Sequence, residues 1–70
     1  MAEIIIYGKS TWPYTEKARS AYGDGATYVD VAQQPEKLEE MLEFSNGVRK
    51  VPVIVQGDKV EIGYGGTWGV

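Results

Sequence analysis

Neither cysteine nor histidine occurs among the 70 residues of this chain. That excludes disulfide staples, thiolate and imidazole metal sites, histidine general bases and cysteine nucleophiles. No metal is expected. Polar chemistry is left to serine, threonine, tyrosine, lysine and the carboxylates, and neither a Ser–Lys pair nor a phosphate-loop spacing stands out among them. Long apolar runs are missing as well. Ile4-Ile5-Ile6-Tyr7 is the longest strongly apolar stretch near the start, far too short to cross a bilayer, and no positively charged leader precedes it. An excess of positive charge is also lacking. The formal net charge is −3, which argues against nucleic acid or an anionic membrane as partner. The expectation is a cytoplasmic monomer.

What is present reads as one small globular domain, residues 1–70, with 43% apolar and 24% charged residues leaving room for a core but not for two. Such a chain buries only ~60% of its unfolded surface, so modest stability is expected. Glu3 to Gly8 is apolar and β-branched and reads as a buried strand. Pro13 suits the first position of a helix. Tyr14, Ala18, Ala21 and Tyr22 then mark one helical face, ended by Gly23-Asp24-Gly25. Thr27 to Val31 reads as a second strand. Pro35 opens a second helix with the apolar stripe Leu38, Met41 and Leu42, and Asn46-Gly47 stops it. Glu36, Glu39 and Glu40 lie in its first turns, where the dipole favours negative charge, and read as a solvated face. Val51 to Val55 is the third strand, Gly57-Asp58 a hairpin turn, and Lys59 to Ile62 the returning strand. Four glycines between Gly63 and Val70 forbid a regular final helix. The order β-α-β-α-β-β predicts an α/β domain. Its mixed four-stranded sheet combines a right-handed parallel crossover with an antiparallel hairpin under two helices.

One position breaks a local rule. The residue before Pro13 is the natural N-cap, which favours serine, threonine, aspartate or asparagine, and here it is Trp12. Indole cannot accept a hydrogen bond from the first helical amides. Conflicts of this kind gather at functional or altered sites. The plain alternative is Thr11 as cap with Trp12 packing on the surface.

At this point the chain resembles the glutaredoxins. Ile5-Ile6-Tyr7-Gly8-Lys9-Ser10-Thr11-Trp12-Pro13-Tyr14-Thr15-Glu16-Lys17-Ala18 is similar to their strand, lysine and Cys-Pro-Tyr-Cys helix start. Val51-Pro52-Val53-Ile54 resembles the family's Val-Pro segment, whose proline is cis and lies beside the redox site. Gly63 to Gly66 resembles the glycine pair that approaches the γ-glutamyl end of glutathione. The resemblance implies a minimal thioredoxin/glutaredoxin fold without the family's last helix. It also implies thiol–disulfide electron transport, with glutathione or a protein disulfide as partner.

The departures are sharper than the match. The family's first cysteine falls on Trp12 and its second on Thr15, so the chain as written cannot carry out thiol–disulfide exchange. Tryptophan is a suggestive occupant, because the selenocysteine codon UGA is one base from UGG. Trp68, in Trp68-Gly69-Val70, is the other tryptophan of the chain. The pair makes the chain resemble UXX-star, the small bacterial group of glutaredoxin-like selenoproteins named for a selenocysteine, two residues and the stop. That resemblance implies that Trp12 and Trp68 mark selenocysteine positions. The plain alternative is a degenerate site at Trp12 and an apolar plug at Trp68.

The same resemblance implies roles for other residues. Thr15 can donate a hydrogen bond to an anion at position 12, or be an ordinary helix-start threonine. Lys9 matches the lysine that meets a glutathione carboxylate, and Arg49 or Lys50 the other carboxylate, against solvated charge in each case. Tyr14 is a pocket wall or packing. Val51 offers backbone bonds beside Pro52, and Gly65 and Gly66 approach the ligand. Glutathione is expected to bind weakly or not at all here, because Trp12 fills the place of its sulfur. The implied function is an oxidoreductase scaffold with its nucleophile replaced; the alternative is a non-catalytic glutathione- or peptide-binding module.

Overall fold

The structure is a computed structural model and describes residues 3–69. Its elements are β1 (Ile4–Gly8), α1 (Pro13–Tyr22), a 3₁₀ turn (Gly23–Gly25), β2 (Ala26–Asp30), α2 (Pro35–Phe44), β3 (Lys50–Val51), β4 (Val53–Gln56), β5 (Lys59–Ile62) and β6 (Trp68–Gly69). The main sheet has the order β2-β1-β4-β5. β1 runs parallel to β2 and antiparallel to β4, and β5 returns antiparallel to β4. This is the predicted mixed four-stranded sheet with two helices.

Alternation along the central strands divides the core into two layers, because successive side chains of a strand point to opposite faces. Ile6 and Ile54 face α1, where Ala18 is fully buried and Tyr22 packs alongside. Tyr7, Val53 and Val55 face α2, where Met41 is fully buried between the half-buried Leu38 and Leu42. The Tyr7 phenol donates to Glu40 Oε2 at 2.6 Å. Burial, with that carboxylate beside it, holds the phenol above its ordinary range.

Three details differ from the sequence pattern. Ala21 is exposed, while Thr15 is fully buried. The inward stripe of α1 is therefore Thr15 and Ala18, both fully buried, with the half-buried Tyr22 alongside, and a threonine methyl does what an apolar residue was expected to do. The third strand is not continuous from Val51 to Val55. Pro52 has no N–H to give to a ladder, and the chain changes sheets there: β4 joins the main sheet, while β3 pairs with β6. The glycine-rich stretch after Ile62 is irregular through Thr67 and then adds the short strand β6. The β4–β5 turn is as predicted. Gly57 sits at its first central position with φ 63°, as a type II′ turn requires.

The end of β1 is held against α1 by contact. A Cβ at Gly8 would lie 2.5 Å from Thr15 Cγ2 and 2.8 Å from its Oγ1. Gly8→Ala should lower stability by about 1–3 kcal/mol, because the buried threonine has no open side to move into. Urea unfolding measures the loss, and Gly8→Ala/Thr15→Ala should recover part of it. An unchanged midpoint for Gly8→Ala would show that the approach is looser than described.

On the other helix face, the Arg19 guanidinium lies 4.2 Å from the Tyr28 ring centroid. Burial first, then the Asp30 carboxylate, push the Tyr28 phenol up to about 12. Unfolded tyrosine ionises near ~10. Between those values the unfolded chain has lost a proton that the folded chain keeps, so stability is intact below about pH 10 and falls as pH rises through about 12. Urea midpoints measured across that interval should decline, and Tyr28→Phe should flatten the decline. A level profile from pH 9 to 12 would contradict the assignment.

Candidate functional site

The site forms where β1 ends, α1 begins and β3 gives way to β4. Trp12 is the N-cap of α1, extended at φ −90° and ψ 130°, with Pro13 in the first turn and no capping bond from its own side chain. Its backbone carries the turn instead. The Trp12 N–H donates to the Lys9 carbonyl at 2.9 Å, and the Trp12 carbonyl accepts from Thr15 at 3.1 Å and Glu16 at 3.2 Å. The half-buried indole packs against the α2-side cluster to which Val51 belongs. The Lys9 ammonium lies 5.0 Å from the centroid of its ring.

Position 12 therefore meets two sources of positive potential. One is the N-terminal end of the α1 dipole, the other the Lys9 ammonium. Thr15 lies below it with its side chain buried, and Oγ1 accepts from the Lys9 N–H at 3.4 Å. Its hydroxyl thus ties the β1–α1 loop to the helix.

Val51 and Pro52 are both fully buried, and the bond between them is cis, as the family resemblance implies. Gly63 donates to the Pro52 carbonyl at 2.6 Å, bringing the glycine loop to this end of the sheet. Gly63 and Gly65 take φ of 97° and 78°, conformations that other residues avoid. Gly66 lies against the Tyr14 ring, where a Cβ would fall 2.4 Å from Cζ. Tyr14 is therefore packed on the glycine loop. Lys17 sits 5.4 Å from the centroid of the same ring. Arg49 and Lys50 are exposed on the approach to Val51.

The predicted residues thus converge on one end of the sheet. Trp12, Thr15 and Lys9 come from the β1–α1 turn, Val51 and Pro52 from β3 and its end, and Tyr14 and Gly66 from the contact between α1 and the glycine loop. The backbone of Trp68 pairs with Val51 in register, and Lys50 with Gly69. The β6 pairing is the feature that sequence reasoning missed. The sequence signal for it is Pro52 inside the run Val51 to Val55, since a proline gives a ladder no N–H. A cleft of about 390 Å³ on the β2 side of α1, lined by Glu16, Arg19, Ser20, Asp24 and Tyr28 among others, contains none of the predicted site residues. Among the described residues, no group of three or more histidine, cysteine, aspartate or glutamate side chains is placed to hold a metal ion. No helix among the described residues is long and apolar enough to cross a membrane.

The glutaredoxin family model matches residues 4–61. The chain belongs to the glutaredoxin family. Among solved structures, this glutaredoxin is similar to the crystal structure of a glutaredoxin (grx-1) from Archaeoglobus fulgidus. The two share 27% identity over 91% of this chain and 77% of that one, with a TM-score of 0.66. No curated protein matches the chain. Family and fold together make this an oxidoreductase-like thioredoxin-fold scaffold.

The Tyr14–Gly66 contact is open to test. Gly66→Ala should swing the half-exposed Tyr14 ring away at a cost below about 1.5 kcal/mol, since the ring, unlike Thr15, has solvent to move into. Ring-current shifts at Gly65 and Tyr14 report the movement. Spectra unchanged around both residues would show that the ring is not packed on the glycine.

Proposed function

We propose that this glutaredoxin is the scaffold of a thiol- or selenol–disulfide oxidoreductase whose nucleophile position, 12, holds tryptophan in place of selenocysteine or cysteine. The observation that supports it most is the setting of Trp12: the N-cap of α1, directly before Pro13, under the Lys9 ammonium. A selenolate or thiolate there is stabilised by the helix dipole and by the lysine, and its pKa falls. Such an anion attacks one sulfur of a disulfide. The S–S bond breaks, one thiolate leaves, and the other half stays joined to the protein as a mixed disulfide or selenenyl sulfide. A second thiol or selenol then attacks that bond and frees the reduced product. Thr15 has no atom able to make this second attack. Residue 68, whose backbone pairs with Val51, is the position this reading assigns to it, in line with the resemblance to the UXX-star selenoproteins.

Glutathione or a protein disulfide is the ligand this reading favours, in the cytoplasm and with the protein as a monomer. Lys9 and either Arg49 or Lys50 would meet its carboxylates, Val51 its backbone, and Gly65 and Gly66 its γ-glutamyl end, with Tyr14 as the wall. With indole at position 12, the chain as written is inactive and binds glutathione weakly or not at all. A non-catalytic peptide- or glutathione-binding module is the second reading, favoured by the lack of any thiol in a chain that keeps the lysines and the glycine loop.

The gene's own codons separate the two. UGA at positions 12 and 68 supports the first reading, and UGG the second. In the protein, Trp12→Cys should restore glutathione-dependent reduction of a small disulfide. Its new thiol should titrate at least about one unit below the free value of ~8.5. Trp12→Cys/Trp68→Cys should also close an intramolecular disulfide, which requires Cα atoms within roughly 7 Å. A thiol at position 12 that titrates normally and restores no activity would overturn the reading.

A further inference from the structure

The β3–β6 ladder stands apart from the main sheet and has two rungs, Lys50 with Gly69 and Val51 with Trp68. A ladder this short is marginal on its own, because few bonds offset the ordering of the segment that forms it. The segment leading into it bends through Gly63 and Gly65 at positive φ. It is fastened by the Gly63 bond to the Pro52 carbonyl and by Tyr64 donating to the Gly66 carbonyl at 3.2 Å. Those fastenings lie before residue 67. Strand β6 itself can therefore leave without undoing the loop. What it uncovers is a backbone edge beside a fully buried residue, Val51, in the cluster against which Trp12 packs. Lys50, within the edge, is exposed, and the half-buried Lys9 lies 5.0 Å from the ring centroid of Trp12, which packs on the same cluster as Val51. Strand addition needs only such an edge, and an acidic extended peptide is the ligand that the neighbouring lysines suit.

We infer that β6 is an internal occupant of a peptide-docking edge, and that an extended, carboxylate-bearing thiol peptide binds at Lys50–Val51 by displacing it. The inference rests on the oxidoreductase-scaffold reading and adds the regulation of that site. Residue 68 and the incoming peptide take turns at Val51. The chain then presents residue 68 to position 12 when the edge carries no ligand, and withdraws it when a ligand arrives.

The probe is S-methylglutathione, a short acidic peptide that cannot form a disulfide. The background is Trp12→Ala, which removes the indole from the probe's sulfur end. If β6 occupies the edge about 90% of the time, apparent affinity is lowered about tenfold relative to an open edge. Trp12→Ala/Trp68→Pro, which removes a strand N–H from β6, should therefore bind about tenfold tighter than Trp12→Ala, with amide shifts at residues 50–51. A second measurement needs no proline: in Trp12→Ala, the backbone nuclear Overhauser contact between Val51 and residue 68 should fade as probe occupancy rises. Equal affinities, with that contact persisting at full occupancy, would overturn the inference and leave the peptide site standing. Absence of binding even with the ladder opened would overturn both the inference and the glutathione reading beneath it.

Discussion

The structure turns on the missing hydrogen of Pro52. A continuous strand from Lys50 to Gln56 would have paired throughout with β1 and β5, and its two ends would have shared one set of neighbours. Proline gives the ladder no donor, so pairing with β1 begins at Val53 and the chain before Pro52 is left to another partner. The Pro52 carbonyl remains an acceptor and takes the Gly63 N–H, which draws the glycine loop to this end of the sheet. From there the loop passes under Tyr14 and delivers β6 to Val51. Site, loop and last strand are consequences of one unfilled position in a ladder.

The setting of position 12 explains why tryptophan is compatible with the fold. One side of the position is apolar, formed by the cluster that includes Val51, and the other carries the Lys9 ammonium. Indole suits both: its faces bury against aliphatic groups and attract a cation. The helix start does not require a side-chain cap, because the Trp12 carbonyl and N–H already close the turn with Thr15, Glu16 and Lys9. What indole cannot supply is an anion for the positive end of α1. The fold accommodates indole at the helix start, with the positive end of α1 and the Lys9 ammonium in place around it.

Much of this was legible in the sequence for identifiable reasons. β1 announced itself by Ile4-Ile5-Ile6, both helices by a proline in the first turn, and the hairpin by Gly57-Asp58, each a strong local signal. The grouping of Lys9, Trp12, Val51 and the glycine loop was implied by the resemblance to the glutaredoxins, and topology added only that the chain beyond Ile62 returns to the Pro52 end. The parts that were not legible depend on contacts remote in sequence. Thr15 counts as polar in any hydrophobic pattern, yet it is buried because Gly8 leaves room for its methyl. β6 is two residues long and carries no periodicity. Its partner is chosen by the gap at Pro52 rather than by its own composition.

The same economy appears on the α1 side of the sheet. Tyr64 leaves the glycine loop and meets Tyr22 edge-on, with ring centroids 6.0 Å apart, while Gln56 on β4 donates to the Tyr22 hydroxyl at 3.0 Å. One tyrosine of α1 thus ties the loop and the sheet together from a single half-buried position. The loop is anchored at its base by Gly63 and along its length by Tyr64 and Gly66, and all of these anchors precede residue 67. The fastenings of the glycine loop therefore gather along the loop itself, and the shortest ladder of the described sheets falls at Val51. On the docking proposal, a short strand on that edge holds the site closed without making closure permanent. A longer one would bind its own scaffold too well for any peptide to compete.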